Sequence, residues 1–458
     1  MKVIGRMRTY KSNEINNSFV GVGFECLDRD MFKADKCYDL LGSSGVKYAR
    51  CQTGWAKCEK EKGKYDFQWL DDIIDNLSKR GLIPWFNVGF GNPLYMDNIS
   101  NPTAVGCVPI LYGDAAMTAW KRYVRALAQH FCGRVQHFEI WNEPDCDQFW
   151  YPGERNAQQY ALLVHETGNV IREVIPQAKI GACISRFNFE YAQKLISALK
   201  PEDIDFFAYH AYSLSPENNY RESISHLKRL LKRYGFEDVS LWQGESGFPS
   251  WFPDNHWLKP VKQGSERQQA VWQLRRYFIE AHEGIELSSF FQIADMWEKA
   301  YVKARETLAK PAAQGILNGL TYTPKKSYET ISRLSAFFSG DVESFDCMLT
   351  SGYEGDRDNF YAKECMAYRI NGKPYFAYYV PARIEDEMPV KEGFWLNVER
   401  RHGIIEIDKP VVIDMLSGDI YDVEFNDITE NTYYFEGLPY SDYPMVLCDR
   451  NAVSVIEI

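Results

Sequence analysis

The stretch FEIWNEPD, Phe138 to Asp145, ends an apolar run abruptly in Asn142 and Glu143, with Pro144 directly behind. A second run, VSLWQGESG, carries Glu245 beside Gly244 and shortly before Gly247. Either Glu alone has a plain use, since acids at such positions commonly cap the next helix or sit in water. Two of them allow a division of labour. A protonated carboxyl hands its proton to a leaving oxygen while an ionised one attacks carbon, and retaining cleavage of an acetal needs the pair roughly 5–5.5 Å apart. Pro144 disfavours helical geometry at the residue before it, so an extended Glu143, aimed by that restriction, is expected. The glycines around Glu245 predict close backbone approach and a tight exit.

For these carboxyls to meet, the elements that carry them must converge. Apolar, β-branched and aromatic runs alternate with helix-period segments: FVGVGFECL, VKYARCQTGW, IPWFNVGF, HFEIWNE, KIGACIS, DFFAYHAYS, VSLWQGESG and LSSFFQIAD. Between them, Phe67, Leu70, Ile73, Ile74 and Leu77 repeat at helical spacing, and Gly81 supplies a left-handed stop. A second helix is predicted from Trp120, Tyr123, Val124, Leu127 and Phe131 before Gly133, and a third through ERQQAVWQLRRYFIEAHEG, closed by Gly284. Near-continuous apolar strands separated by helices mean parallel strands covered on both faces. Eight such units fit an α/β (β/α)₈ barrel, whose active groups gather where strands end. A doubly wound open sheet is the alternative, but GVGFEC lacks the third glycine of a dinucleotide-binding turn. After SYETISRLSAFF the pattern changes to short strands broken by turns, with NGK at Asn371 and SGD at Ser417 reading as hairpins. The organisation expected is a barrel over residues 15–335, an all-β sandwich over 336–458, and a strand within residues 1–14 that pairs with the sandwich.

With Glu143 and Glu245 at the ends of runs four and seven, IWNEPD and WQGESG together resemble the clan-A retaining glycoside hydrolases, in detail family 39, the β-xylosidase and α-L-iduronidase family. Further matching stretches are GKYDFQWLDDIIDNLSKRGLIPWFNVGFGNPLY, DFFAYHAYS, PVVIDMLSGDIYD and LPYSDYPMVL. The resemblance implies a glycosidase with Glu143 as general acid/base and Glu245 as nucleophile. It implies that Asn142 holds a sugar 2-hydroxyl and that Arg50, at the end of the second run, is the cation beside the nucleophile. His210 and Tyr212 share one strand face by their spacing. A strand His is ordinarily a satisfied core residue; the resemblance makes both line the sugar site, with Tyr212 donating to Glu245. Asp28, Trp55, Trp297 and Glu298 are further candidates for sugar contacts. The xylosidases carry a Trp within strand eight where Phe291 stands in this chain, which leaves the sugar open among xyloside, glucoside, galactoside, arabinoside and uronide. A homo-oligomer through the sandwich is also implied.

Composition narrows the alternatives. The 458 residues exceed one ordinary core. A formal net charge of −11 argues against nucleic acid as a partner. No run of ~18 apolar residues spans a membrane. The start, MKVIGRMRTYKSNEI, scatters its charges and does not read as a secretion signal, and 11 cysteines without C-x-x-C point to reduced thiols, hence a cytoplasmic setting. Neither H-E-x-x-H, G-x-S-x-G nor a P-loop occurs, so no metal or other cofactor is expected. Aromatic residues make up 15%, which suits sugar faces as well as a core. A catalytically silent sugar-binding protein is the rival reading; it predicts affinity without release of aglycone.

Overall fold

A computed structural model describes residues 2–252, 264–296, 312–353, 362–400 and 405–457. Eight parallel strands close into a barrel: β2 Val20–Gly23, β3 Tyr48–Gln52, β4 Ile83–Val88, β5 His137–Ile140, β6 Lys179–Ile184, β7 Phe206–Tyr209, β8 Ser240–Ser246 and β9 Leu287–Phe290, following β1 Lys2–Met7 outside it. Closure is made by β9 on β2, with Ser288 opposite Val20 and Phe290 opposite Val22. The eight apolar runs of the sequence map one to one onto these strands. β2 is buried along its whole length, as a strand flanked by helices must be.

The helix Gln68–Lys79 buries Leu70, Ile73, Ile74 and Leu77, the stripe read from the sequence. It ends at Gly81, where φ is +85° and a Cβ would meet Asn13 Cα at 2.6 Å, so only glycine fits. The helix Glu266–His282 departs from its amphipathic expectation. Every residue from Gln268 to Ala281 is buried, because the barrel covers one face and the C-terminal β-domain the other. Its polar side chains find partners there: Arg275 donates to the Ala382 carbonyl at 2.9 Å and Arg267 pairs with Asp442 at 2.6 Å. Tyr368 of the β-domain donates to the Phe278 carbonyl at 2.6 Å.

That β-domain stacks two sheets. One has eight strands in the order Val342–Ser344, Glu364–Ile370, Lys373–Tyr379, Met445–Asp449, Pro410–Asp414, Asp419–Asp422, Lys2–Met7 and Val455–Ile456. The other holds Leu349–Tyr353, Lys391–Glu399, Thr432–Tyr440 and Asp427–Ile428. The turn at Asn371 and Gly372 has φ of +50° and +80°, the two left-handed residues a tight hairpin demands. The strands Leu349–Tyr353 and Lys391–Glu399 escape the apolar-run pattern; Lys391–Glu399 alternates buried and half-buried residues and opens on exposed Lys391 and Glu392. The first strand crosses back to this domain, pairing antiparallel with Asp419–Asp422.

Candidate active site

At the carboxyl end of the barrel one guanidinium organises the cluster. Arg50 projects from β3, is fully buried, and has five N–H groups to satisfy. Nε and Nη2 grip Glu139 at 3.1 and 2.6 Å, and Nη2 also donates to Asn142 Oδ1 at 2.9 Å. Nη1 donates to Glu25 at 2.6 Å and to Glu245 at 2.9 Å. All five donors are therefore used. Burial works to lift the Glu139 carboxyl, but Arg50 and His210 outweigh it and hold it down at about 2. Glu139 is the fixed counter-ion that lets Arg50 stay charged in a dry site.

Glu245 stands at the end of β8 with donors on both oxygens: Arg50 on Oε2, and the Tyr212 hydroxyl on Oε1 at 2.7 Å. Gly244 makes the approach possible, since a Cβ there would meet His210 Nε2 at 3.0 Å and Ala208 Cβ at 3.2 Å.

Glu143 lies across the mouth. His210 Nδ1 is 3.0 Å from its Oε1 and 3.8 Å from Glu245 Oε2. One oxygen of each carboxyl and a His210 nitrogen lie within 4.8 Å of one another. Burial raises the Glu143 carboxyl above its ordinary range, against the pull of His210. His210 itself would lose its proton by burial, but Glu139, 3.6 Å from its Nε2, and the bond to Glu143 win, lifting it to about 10, so it carries a positive charge at neutral pH. The side chains of Glu143 and Glu245 are 13% and 12% exposed, whereas those of Glu25 and Glu139 are 1% and 0%. Only the first two carboxyls are open to an entering molecule. The groups are also near enough to ligate a cation, as are Glu139, Cys183 and His210. Arg50 and protonated His210 already supply positive charge there, so the cluster suits proton transfer better than a metal.

The backbone at Glu143 corrects the expectation drawn from Pro144. Its φ is +44°, left-handed instead of extended, and Trp141 is also left-handed at +68°. Proline disfavours right-handed helix in the preceding residue, and the chain escapes through the other allowed basin. Trp141 is pinned there by its indole, which donates to the Phe149 carbonyl at 2.7 Å, while Asn87 donates to the Trp141 carbonyl at 2.5 Å.

Among the remaining candidates, Asn142 is buried and joins the cluster through Arg50. Asp28 sits in the turn Leu27–Arg29 after β2, buried, with Arg29 on one oxygen at 3.2 Å and no donor on the other. Trp55 is a core residue, which corrects its assignment as a sugar platform. It is wholly buried, stacked between Tyr95 and Tyr123 at 5.4 and 5.6 Å, with its indole N–H on Glu59 at 2.6 Å. The four-residue helix Trp55–Cys58 turns that ring back into the protein. Trp297 and Glu298 lie outside the described residues. Phe291 is buried directly after β9. Sequence reasoning missed Glu25 and Glu139. Both left a signal: each is an acid inside an apolar run, where burial demands a partner.

Fold and cluster together define the class: a (β/α)₈ barrel with two reachable carboxyls at its mouth, the scaffold of clan-A glycoside hydrolases. Residues 36–224 match the model for glycosyl hydrolases family 39, a span that includes Glu143, His210 and Tyr212 and stops before Glu245. A β-xylosidase of Geobacillus stearothermophilus is 25% identical over 165 residues, 32% of this chain and 31% of that protein, so the match spans about a third of the relative's length. A family 39 glycoside hydrolase from the gut symbiont Bacteroides cellulosilyticus WH2 superposes with a TM-score of 0.68 at 14% identity, covering 96% of this chain and 82% of the other. A family 39 β-xylosidase from Caulobacter crescentus gives 0.59 at 14% identity, with 98% of each chain covered. These similarities make the chain family 39-like in sequence over residues 36–224 and in fold. Among the described residues no helix is long and apolar enough to cross a membrane.

Proposed function

We propose that this protein hydrolyses glycosidic bonds with retention of configuration, through a covalent glycosyl-enzyme intermediate. The observation that carries the reading is the meeting of Glu143 and Glu245 within 4.8 Å, in environments that treat them differently. So close a separation favours a nucleophile working directly on the anomeric carbon over the wider spacing of an inverting pair. Glu245, gripped by Arg50 and Tyr212, attacks that carbon. Glu143, its carboxyl raised by burial, gives its proton to the leaving oxygen as the bond breaks. Glu143 is then the carboxylate that deprotonates water, and the hydroxide displaces Glu245 to free the sugar. Asn142, fixed by Arg50, presents its amide N–H groups to the 2-hydroxyl of the sugar, where bonding strengthens as positive charge develops on the ring.

β-Xylosides are the first choice of substrate, because relatives of this chain are β-xylosidases, and the reducing cytoplasm is the setting proposed from the cysteine pattern. A panel of nitrophenyl xyloside, glucoside, galactoside, arabinoside and glucuronide tests the reading, with NMR of the first-formed sugar anomer. Release of nitrophenol with the substrate's own anomeric configuration is expected. Affinity for sugars without turnover, or an inverted first product, overturns it.

A further inference from the structure

We infer that Glu25 is a positioning residue that works as a neutral carboxylic acid, bracing Arg50 against the nucleophile without adding charge to the cluster. The inference rests on the hydrolase reading above. Glu25 follows β2 and its side chain is almost wholly buried. Its Oε2 accepts from Arg50 Nη1, the same nitrogen whose second N–H reaches Glu245. Two bonds from one nitrogen fix the plane of the guanidinium end, so the Glu25 contact sets the direction of the Glu245 contact.

A charge count shows why this acid stays neutral. The charged groups facing Glu25 are Arg50 from β3, Glu139 from β5, His210 from β7 and Glu245 from β8. Tyr212 also faces it, as do the Cys26 and Cys51 thiols, and burial keeps all three protonated. Among the described residues, the two cations are therefore in direct contact with four carboxyls, counting Glu143. Glu139 takes one positive charge through its two-point grip on Arg50. The other balances a single negative charge, which sits on Glu245 before attack and on Glu143 once Glu245 is esterified. The cluster stays neutral through both halves of the reaction only when Glu25 carries its proton. The other Glu25 oxygen, Oε1, is buried and has no hydrogen-bond partner, a state that costs an ionised carboxylate far more than a neutral acid. Gly23 leaves it room, since a Cβ there would stand 2.8 Å from Oε1. Burial, the largest influence, moves the group in the same direction, to about 8.

The test compares Glu25→Ala with Glu25→Gln, the isosteric and permanently neutral partner for Arg50. In the alanine variant Arg50 Nη1 loses an acceptor, and kcat on the best nitrophenyl glycoside is expected to fall ~10–100-fold with little change in KM. Glutamine is expected to restore most of that loss, and the inflection near pH 8 to leave the kcat/KM profile. Infrared difference spectra of wild type against Glu25→Gln near neutral pH should show the loss of a protonated carboxylic C=O band. Glutamine as damaging as alanine, a retained carboxylic band, or a glutamine variant that does not fold overturns the inference, because a neutral acid and its amide make nearly the same demand on this site. The infrared arm needs no turnover. A wild-type protein inactive on every glycoside but showing the band sinks the hydrolase reading and leaves the protonation state of Glu25 standing.

Discussion

The two ends of the barrel interior are filled by opposite chemistry. At the mouth, Arg50 and His210 knit four carboxyls into one cluster. On the floor, Trp85, Phe206, Ala208, Trp242 and Leu287 form an apolar plug, packed with Cys183, whose thiol reaches up to Glu139 and His210. Phe206 stacks on Trp242 at 3.9 Å, Trp85 meets it edge-on at 5.2 Å, and Gly181 leaves space for the Phe206 ring. The layers touch where Arg50 sits 5.4 Å from the centre of the Trp85 ring. Inward-facing positions of the same strands thus serve both ends, and the floor keeps water from reaching the cluster from below. In that dry setting each charge interaction gains strength, which is how burial and pairing move Glu139 and Glu143 in opposite directions.

Substitutions at the two ends should fail differently. Glu245→Ala is expected to reduce turnover by ~10⁴-fold or more without lowering the melting temperature, and azide should restore part of it with inverted product. On the floor, Trp242→Ala should cost ~3–5 kcal/mol in stability, read by denaturant unfolding. Activity of the surviving folded fraction should be reduced far less than in Glu245→Ala. Back at the mouth, Glu143→Ala should slow glycosides with poor leaving groups ~10²–10⁴-fold and spare the first step for very good ones, measured across a series of aryl leaving groups. His210→Gln removes the cation that lowers the Glu143 carboxyl, so Glu143 keeps its proton to higher pH and the alkaline limb of kcat/KM should move up. The mildest change is Tyr212→Phe, expected to cost ~10-fold in kcat with the fold intact.

Much of the mouth was legible because barrel chemistry gathers at strand ends. Glu143, Glu245, His210 and Tyr212 all lie at or just past such ends, Arg50 two residues before the end of β3, and the structure brings them into one hydrogen-bonded cluster. Glu139 escaped because it lies within its strand, where a search for strand-end groups does not look. Glu25 escaped because the stretch after β2 was read for its glycines and for Asp28. Trp55 misled for a different reason: position after a strand does not say which way a short helix turns, and this one turns its ring inward among Tyr95, Tyr123 and Trp120. The floor was legible only as a barrel, since stacking of Phe206 on Trp242 depends on register between strands and not on either run alone.

The pairing of Lys2–Met7 with Asp419–Asp422 bears on the order of assembly. During synthesis this strand emerges hundreds of residues ahead of its neighbour. It must wait as an unpaired edge while the barrel takes shape, a state open to association with other chains. A chaperone that shields this segment, or slow translation before the last sheet is complete, would then decide how much chain reaches the native state.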